Sequence, residues 1–426
     1  MRLSIPYGQT SLPLDLPGGQ GLAVLEPKHG FFPEGRDQDE LVRAAMTAPL
    51  GCEPLEELAR AAKNAVILCS DHTRPVPSRH IVPQMLAALR RGNPQIQISL
   101  LIATGCHRET TTQELRGKFG DEILQNERIF IHDCDDEANL ISLGALPSGA
   151  ELRINRLAAQ TELLLAEGFI EPHFFAGFSG GRKSVLPGVC ARATVLGNHC
   201  AAFIRDPGAV AGVLLGNPIQ RDMEAAARMA KLRYIVNVIL NGKKEVAAAF
   251  AGDALAAHEA GCAALRAAAA VRPPFLADIV ISSNGGAPLD QNIYQAVKGM
   301  STAEGAAAEG AVIILCAACE DGVGGEEFQA ALARCESPAA LLRQIEARSM
   351  EETLPDQWQV QILARILSRH TVIFVTNEAL RPVVEEMKMV YAKSLDGALG
   401  IARAMKGEGA RVAVIPDGVS LIVERS

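Results

Sequence analysis

The feature that most constrains the fold of this chain is a repeated alternation of short apolar runs with longer helical patterns. Residues 64–70 and 95–105 are apolar runs of strand length, and residues 78–91 between them carry their apolar side chains on one helical stripe. This strand–helix–strand order predicts parallel strands covered by helices, and therefore an α/β protein with mostly parallel sheets. Further strands are predicted at residues 128–132, 162–166, 233–240, 277–283, 309–317, 370–376 and 410–416.

The length of 426 residues predicts two or three domains. An Ala-rich helical stretch ends at the two prolines of residues 272–274, and a second series of apolar runs follows. We predict an N-terminal α/β domain over residues 1–272 and a C-terminal α/β domain over residues 273–405, with the active site in the cleft between them. The final strand, within residues 406–426, fits either domain.

Composition excludes several classes of protein. The 41 basic and 49 acidic residues give a net charge of −8, and the absence of a basic tract argues against nucleic acid as the main partner. The longest apolar run, residues 311–319, is less than half the ~20 residues of a spanning helix, and the first residues lack the apolar segment of a signal peptide. Ten scattered cysteines then predict a cytoplasmic protein with reduced thiols, and the Cys316–Cys319 pair is interpreted as core packing.

Polar clusters follow several predicted strands, at the sheet edge where open α/β sheets bind ligands. The first cluster runs from Asp71 to Arg74, directly after the strand at residues 64–70. Arg74 offers a planar set of donors that suits a carboxylate or a phosphate. An Asp71–Arg74 ion pair in a helix-initiating turn fits these residues equally well.

Two histidines follow two other strands. His107 lies after the run at residues 95–105, and His173 lies after the run at residues 162–166. A single histidine in such a position is often structural. Two of them at the ends of strands in one sheet can converge on one cavity, where a pair of imidazoles suits proton transfer in both directions.

A glycine-rich stretch, GFSGGRKS at residues 177–184, resembles a phosphate loop. It departs from the Walker A pattern, because Arg182 stands where that pattern requires glycine. Its backbone N–H groups can still bind a phosphate, although a tight turn with exposed basic side chains is the alternative. The candidate cofactor-binding residues are Gly177, Ser179, Gly180, Gly181, Arg182 and Lys183. His199 becomes a candidate metal ligand if the fold brings it close to Lys183.

A further candidate cluster lies on a predicted helix of the second domain. Tyr294, Gln295 and Lys298 share one helix face because they are three and four residues apart. A lysine beside a glutamine can bind a substrate carboxylate, whereas the alternative is an ordinary solvated face.

Taken together, these motifs resemble those of the nickel-pincer-dependent lactate racemase family. The matching segments are SDHTRPVPS, ATGCHRE, EPHFFAGFSGGRKSVLPGV, GNH and YQAVKG, which occur in the family's order between residues 70 and 299. The long segment that contains His173 and Lys183 is highly specific. The family includes racemases and epimerases of several 2-hydroxy acids, so the resemblance implies an isomerase of this kind.

The resemblance also implies a cofactor and the residues that bind it. The family's cofactor is a nickel-pincer nucleotide, a pyridinium mononucleotide that binds nickel through one carbon and two sulfurs, and it is made by separate cofactor-synthesis enzymes. Lys183 matches the lysine that can tether it through a thioamide. His199 matches the protein ligand of nickel, whose tetragonal preference accommodates one imidazole. The glycine-rich stretch matches the site of the nucleotide phosphate.

The reaction implied by the resemblance is a reversible hydride transfer. His107 and His173 match the two histidines that exchange the hydroxyl proton while the C2 hydrogen passes to the cofactor as hydride. Substrate-facing positions follow for Arg74, Gln295 and Lys298 at the carboxylate, and for Tyr294 and Trp358 in the pocket wall. Asp71 belongs to the same motif and either orients Arg74 or contacts the cofactor. Cys106 departs from the family pattern, in which threonine is common.

Two other functions compete with this interpretation. A zinc hydrolase would use His107, His173 and His199, but the chain lacks H-E-x-x-H or a comparable ligand spacing. A non-enzymatic phosphometabolite-binding protein would use the glycine-rich stretch and Arg74, but simple binding needs no pair of bases. The sequence leaves the 2-hydroxy acid open among lactate, malate, 2-hydroxyglutarate and sugar acids, and it leaves the oligomeric state open.

Overall fold

The computed structural model describes residues 1–16, 19, 21–28, 32 and 35–424. The last two residues of the predicted final segment therefore lie outside the described part. Two six-stranded sheets flanked by helices form the body of the molecule, which confirms the predicted α/β class.

The described strands, in chain order, are β1 Arg2–Tyr7, β2 Thr10–Asp15, β3 Leu22–Val24, β4 Asn64–Ser70, β5 Gln97–Ala103, β6 Arg128–Ile131, β7 Leu140–Ala145, β8 Glu151–Asn155, β9 Leu163–Phe169, β10 Pro172–His173, β11 Gly177–Phe178, β12 Leu232–Leu240, β13 Val246–Asp253, β14 Ala270–Val271, β15 Ala277–Ser283, β16 Ala307–Cys316, β17 Thr371–Val375, β18 Val390–Ala392, β19 Val412–Ile415 and β20 Ile422–Val423. Each strand predicted from the sequence corresponds to one of these, with ends that differ by a few residues at most.

The described helices, in chain order, are α1 Gln38–Thr47, α2 Leu55–Ala59, α3 Ser78–Gly92, α4 Thr112–Phe119, α5 Asp121–Asn126, α6 Arg156–Gln160, α7 Arg192–Asn198, α8 Ala201–Arg205, α9 Pro218–Met229, α10 Ala256–Ala269, α11 Ile293–Ala306, α12 Glu326–Arg334, α13 Pro338–Glu346, α14 Gln357–Arg369, α15 Arg381–Glu386 and α16 Leu395–Lys406. The apolar stripe predicted for residues 78–91 lies on α3, where its four large apolar side chains are buried.

The first sheet has the strand order β13-β12-β9-β4-β5-β6, in which only the pairing of β12 with β13 is antiparallel. All seven residues of β9 are buried. A strand in the middle of a parallel sheet is covered on both faces by helices, and so β9 is mostly apolar rather than alternating, with Glu167 as its one charged residue. The order places the carboxyl ends of β4, β5 and β9 side by side.

The second sheet has the strand order β18-β17-β16-β15-β19-β3, and all its pairings are parallel. The final predicted strand, β19, therefore pairs with β15 in this sheet. Strand β3 pairs with β19 as well, although it falls within the segment predicted to form the first domain. We therefore propose a domain division near residue 272, with β3 assigned to the C-terminal domain.

Two expectations from composition concern thiols and membranes. All ten cysteines are free thiols, and Cys316 and Cys319 are buried, as core packing requires. Among the residues that the structure describes, no helix combines the length and the apolar character needed to cross a membrane.

Candidate active site

A cavity of about 510 Å³ opens at the carboxyl ends of β4, β5 and β9 and is completed by residues that follow strands of the second sheet. This volume is typical of a pocket for a cofactor or a small ligand. The cavity is lined by most of the residues predicted for the site, namely Asp71, Arg74, His107, His173, Ser179, Gly180, Lys183, His199, Tyr294, Gln295, Lys298 and Trp358.

His107 is oriented by a carboxylate. Because β4 and β5 are parallel neighbours, the turns that follow them lie side by side, and Nδ1 of His107 lies 2.6 Å from Oδ2 of Asp71. The Thr73 hydroxyl donates to Oδ1 of the same carboxylate at 2.7 Å. Burial opposes the charge of Asp71, but the hydrogen bond and charge of His107 hold the pKa of Asp71 well below its usual value. Asp71 thus fixes the ring of His107 through Nδ1, and the other ring nitrogen, Nε2, is available for proton transfer.

His173 lies in a cationic and aromatic environment. The backbone N–H of Ala176 donates to its Nδ1 at 3.3 Å, and its ring packs against Phe174 and Phe175 with centroid distances of 5.1 and 4.5 Å. Its Nε2 lies 3.4 Å from Nζ of Lys183. Burial and the charge of Lys183 lower the pKa of His173 well below its usual value, so the neutral imidazole predominates at neutral pH.

Lys183 is influenced by other cationic side chains. Burial, together with the charges of Arg182 and Arg74, lowers the pKa of Lys183 well below its usual value. A lysine in this environment is readily uncharged, and an uncharged amine is nucleophilic. The same geometry therefore permits a covalent bond at Nζ of Lys183.

His199 has the hydrogen bonding of a metal ligand. It follows α7, and its Nδ1 donates to the carbonyl oxygen of Val195 at 2.9 Å, which leaves Nε2 with a free lone pair. Burial and the charge of Lys183 lower the pKa of His199 to about 3, so the ring stays neutral. Its ring is packed between Phe175 and Trp358, with centroid distances of 5.2 and 4.9 Å.

The glycine-rich stretch contributes to the cavity only in part. Ser179 and Gly180 line the cavity, and Gly180 has φ +79°, a conformation that glycine adopts readily. The N–H of Gly181 donates to Oδ1 of Asn237 at 2.7 Å. At Gly177, φ is +77° and a Cβ would lie 2.2 Å from the carbonyl oxygen of Val213, so that glycine is required for packing.

Arg182 differs most from its predicted role as a cofactor-binding residue. Its side chain is buried outside the cavity, and its guanidinium donates to the carbonyl oxygens of Ala176 and Phe178, both at 2.8 Å. It also contacts Gln220 and lies 2.8 Å from Nε2 of His258. With its donors engaged by protein groups, Arg182 shapes the stretch from inside and does not reach a ligand in the cavity.

Helix α11 supplies the residues that face the cavity from the second sheet. It begins after Asn292, whose side chain accepts the backbone N–H of Gln295 at 2.9 Å. Tyr294, Gln295 and Lys298 share the cavity-lining face, as predicted from their spacing. Burial and the charge of Arg74 lower the pKa of Lys298 to about 8, and both side chains line the cavity.

Two residues of the cavity were not singled out in the sequence. Cys106 was noted only as a departure from the family pattern, and it lines the cavity together with His107. Asp356 precedes α14 and accepts the Tyr294 hydroxyl at 3.0 Å. The local signal at Asp356 is that of a helix-capping aspartate, which concealed its position in the cavity.

Comparisons with known proteins agree with this geometry. The family model described as the lactate racemase N-terminal domain matches residues 7–212, and the one described as the lactate racemase C-terminal domain matches residues 273–423. A lactate racemase from Thermoanaerobacterium thermosaccharolyticum is 47% identical over 421 residues, with 99% of each chain covered. A lactate racemase from Lactiplantibacillus plantarum is 45% identical over 422 residues, again with 99% of each chain covered.

Solved structures give the same result. The lactate racemase apoprotein from Thermoanaerobacterium thermosaccharolyticum superposes with a TM-score of 0.95 at 46% identity over 100% of both chains. A protein from Thermotoga maritima superposes with a TM-score of 0.64 over 93% of this chain and 100% of its own, and at 18% identity it shows the fold alone. With both family models matched and the similarity extending over the whole chain, this protein belongs to the lactate racemase family and is an isomerase.

Proposed function

We propose that this protein racemises lactate, or a closely related 2-hydroxy acid, by reversible hydride transfer with a nickel-pincer nucleotide. The observation that carries the proposal is the arrangement of His107 and His173 in one cavity together with Arg74 and Lys298. Two imidazoles can exchange a hydroxyl proton for either enantiomer, and two cations can bind the carboxylate that both enantiomers share. The relatives named above are lactate racemases, which supports lactate as the substrate.

The residues of the cavity fit the proposed cofactor. His199 is neutral, is oriented by its bond to Val195 and has a free Nε2, which are the properties of a nickel-binding imidazole. The amine of Lys183 is positioned to form a thioamide, and Ser179 and Gly180 line the part of the cavity beside it. When bound, the cofactor would supply the carbon that accepts the C2 hydrogen of the substrate as hydride and returns it to either face.

The protein groups would handle the proton and the carboxylate. His107, held by Asp71, would remove or return the hydroxyl proton for one enantiomer, and His173 would do so for the other. Arg74 and Lys298 would bind the carboxylate, with Gln295 beside them. Trp358 and Tyr294 would close the wall of the cavity and exclude water, which favours the return of hydride to the intermediate keto acid.

The geometry disfavours the two alternative functions. Of the residues described, only Asp133, Cys134 and Asp135 bring three candidate metal-binding atoms within 4.8 Å of one another, so His107, His173 and His199 do not form a compact zinc site. A protein that only binds a phosphometabolite would not need a histidine held by a buried carboxylate. The similarity to two lactate racemases points the same way.

The fate of the C2 hydrogen tests the proposed mechanism. Protein produced with the cofactor-synthesis enzymes should interconvert the lactate enantiomers, and 2-deuterated lactate should react more slowly while it keeps its label. Product formed in heavy water should carry protium at C2, because hydride held on the cofactor does not exchange with solvent. Deuterium uptake from solvent at C2 would instead indicate direct proton abstraction and would contradict the proposal.

The cofactor assignment has its own test. Protein produced without the cofactor-synthesis enzymes should be inactive, and full activity of such metal-free protein would contradict the assignment. The intact mass of active protein should include the tethered cofactor, and Lys183→Ala should lose that added mass. Metal analysis should find nickel in the wild type, whereas zinc would support the hydrolase alternative.

A further inference from the structure

Asp356 differs from an ordinary aspartate at the start of a helix in both its hydrogen bonding and its backbone conformation. It is the residue before α14, where an aspartate usually accepts N–H groups of the first helical turn. Here the side chain makes no such bond, and its Oδ1 accepts the Tyr294 hydroxyl at 3.0 Å instead. Its φ of +59° is left-handed, a region that residues other than glycine seldom occupy. The carboxylate therefore does not cap the helix and instead belongs to the cavity lining.

The partner of Asp356 is held firmly from several sides. The ring of Tyr294 packs edge-on against Phe328 with a centroid distance of 5.3 Å, and its backbone N–H donates to the carbonyl oxygen of Val323 at 2.9 Å. Gln359, on the first turn of α14, donates to the carbonyl oxygen of Tyr294. Because the hydroxyl proton of Tyr294 points to Asp356, its oxygen offers only lone pairs to other groups in the cavity.

The cavity lining carries charged groups of both signs. Arg74 and Lys298 line it together with His173, whose Nε2 lies 3.4 Å from Nζ of Lys183. His107, Arg192 and Asp356 line the same cavity, and the guanidinium of Arg192 is already engaged by Asp135 through two contacts at 2.8 and 2.6 Å. Asp71 adds a second carboxylate on the His107 side. The cavity lining therefore holds cations at Arg74 and Lys298, and it also holds carboxylates at Asp71 and Asp356 beside the Tyr294 oxygen.

We propose that Asp356 is a positioning residue for Tyr294 and a determinant of substrate specificity that excludes 2-hydroxy dicarboxylic acids in favour of monocarboxylic ones. The inference rests on the proposed function, because it assumes that the substrate carboxylate binds at Arg74 and Lys298. A substrate with a second carboxylate would direct it at the wall formed by Asp356 and the Tyr294 oxygen. Like charges and facing lone pairs disfavour such a complex, which is selection through repulsion.

The test compares lactate with malate, which carries a second carboxylate. In cofactor-loaded protein, Asp356→Asn should raise the ratio of kcat/KM for malate to kcat/KM for lactate by about tenfold or more, because the repulsive charge is lost. Asparagine also tolerates left-handed backbone conformations, so the fold should be retained. Glu327→Gln is the matched control, since it removes a nearby charge that is exposed and does not line the cavity, and it should leave the ratio unchanged.

The positioning role predicts a different result for Tyr294→Phe. This variant keeps the charge of Asp356 and removes only the lone pairs of the hydroxyl, so it should lower kcat for lactate while keeping most of the preference for lactate over malate. If Asp356 had a merely structural role, Asp356→Asn would lower kcat/KM for lactate and for malate by the same factor. An unchanged malate-to-lactate ratio in a folded Asp356→Asn protein would overturn the specificity proposal.

A binding measurement separates this inference from the proposed function. Binding of malate and of lactate to the cofactor-free protein can be followed by ligand-observed nuclear magnetic resonance. Asp356→Asn should strengthen malate binding relative to lactate binding, even if the loaded enzyme proves inactive on both acids. If the loaded enzyme is inactive but Asp356→Asn strengthens malate binding relative to lactate binding, only the proposed function is contradicted. If the binding ratio is the same in the wild type and the variant, the role of Asp356 is contradicted.

Discussion

The two histidines of the cavity occupy opposite electrostatic environments. His107 contacts the buried carboxylate of Asp71 at 2.6 Å, whereas His173 lies 3.4 Å from Nζ of Lys183 and lines the cavity with Lys298 and Arg74. One ring is oriented by a charged partner, and the other by a backbone N–H and by aromatic packing. The comparison teaches that a reaction symmetric in its two products does not require a symmetric site.

The largest expected effect comes from removing either histidine. His107→Ala and His173→Ala should each lower racemisation in both directions by ~10²–10⁴-fold, because each direction uses one ring as base and the other as acid. Rates are measured from each pure enantiomer by chiral chromatography. His80→Ala, at a histidine outside the cavity, is the control. A variant with wild-type rates in both directions would refute the two-base assignment.

The cationic environment of His173 is tested by Lys298→Ala. Loss of a charged partner should cost roughly 1.5–3 kcal/mol of carboxylate binding and should appear mainly as a higher KM for lactate. Lys393→Ala, which removes an exposed lysine paired with Glu378, should leave KM unchanged. If Lys298→Ala changed neither KM nor turnover, α11 would not belong to the substrate site.

The acidic environment of His107 is tested by Asp71→Asn. The ring of His107 would lose its charged partner and its fixed tautomer, so activity should fall roughly 10- to 100-fold, as is typical when a partner that orients a functional histidine is removed. The chain contains a matched pair outside the cavity, His80 and Asp39, whose atoms lie 2.9 Å apart. Asp39→Asn should therefore be neutral. Equal activities for the two variants would show that the Asp71 contact is dispensable.

The smallest expected effect is a dependence of kcat/KM on pH that arises from the ionisation of Lys298. The pKa of Lys298 is lowered to about 8, so the side chain is charged below that pH and loses its charge as the pH rises through it. The kcat/KM for lactate should then fall above pH 8, by at most about tenfold per pH unit for one ionisation. Lys298→Arg keeps its charge and should flatten this fall. An identical fall in Lys298→Arg would assign the titration to another group.

Much of the architecture was predictable because its signals are local. The strand at residues 64–70 coincides with β4, since a continuously apolar run is what a buried parallel strand requires. The candidate histidines and Arg74 were found by the same means, because the carboxyl ends of parallel strands share one edge of a sheet. The resemblance to the racemase family then gave those residues roles that their spacing alone left open.

Arg182 shows where local signals fail. In the sequence it belongs to a glycine-rich stretch with basic residues, a pattern typical of an exposed phosphate loop. In the structure its partners Gln220 and His258 come from helices 38 and 76 residues further along the chain. Burial of a guanidinium requires partners for all its donors, and only the folded chain reveals whether distant residues provide them.

The sequence by itself determined the α/β class, the strand positions and the identity of the groups that carry the chemistry, because hydrophobic periodicity and motif spacing act over short stretches of chain. The tertiary structure alone decided which groups meet: the carboxylate of Asp71 with His107, the cations with His173, and Asp356 with Tyr294. These pairings join segments from different strands and from both sheets. Their distances and burial, and hence their charges, depend on how the sheets pack, which no local pattern specifies.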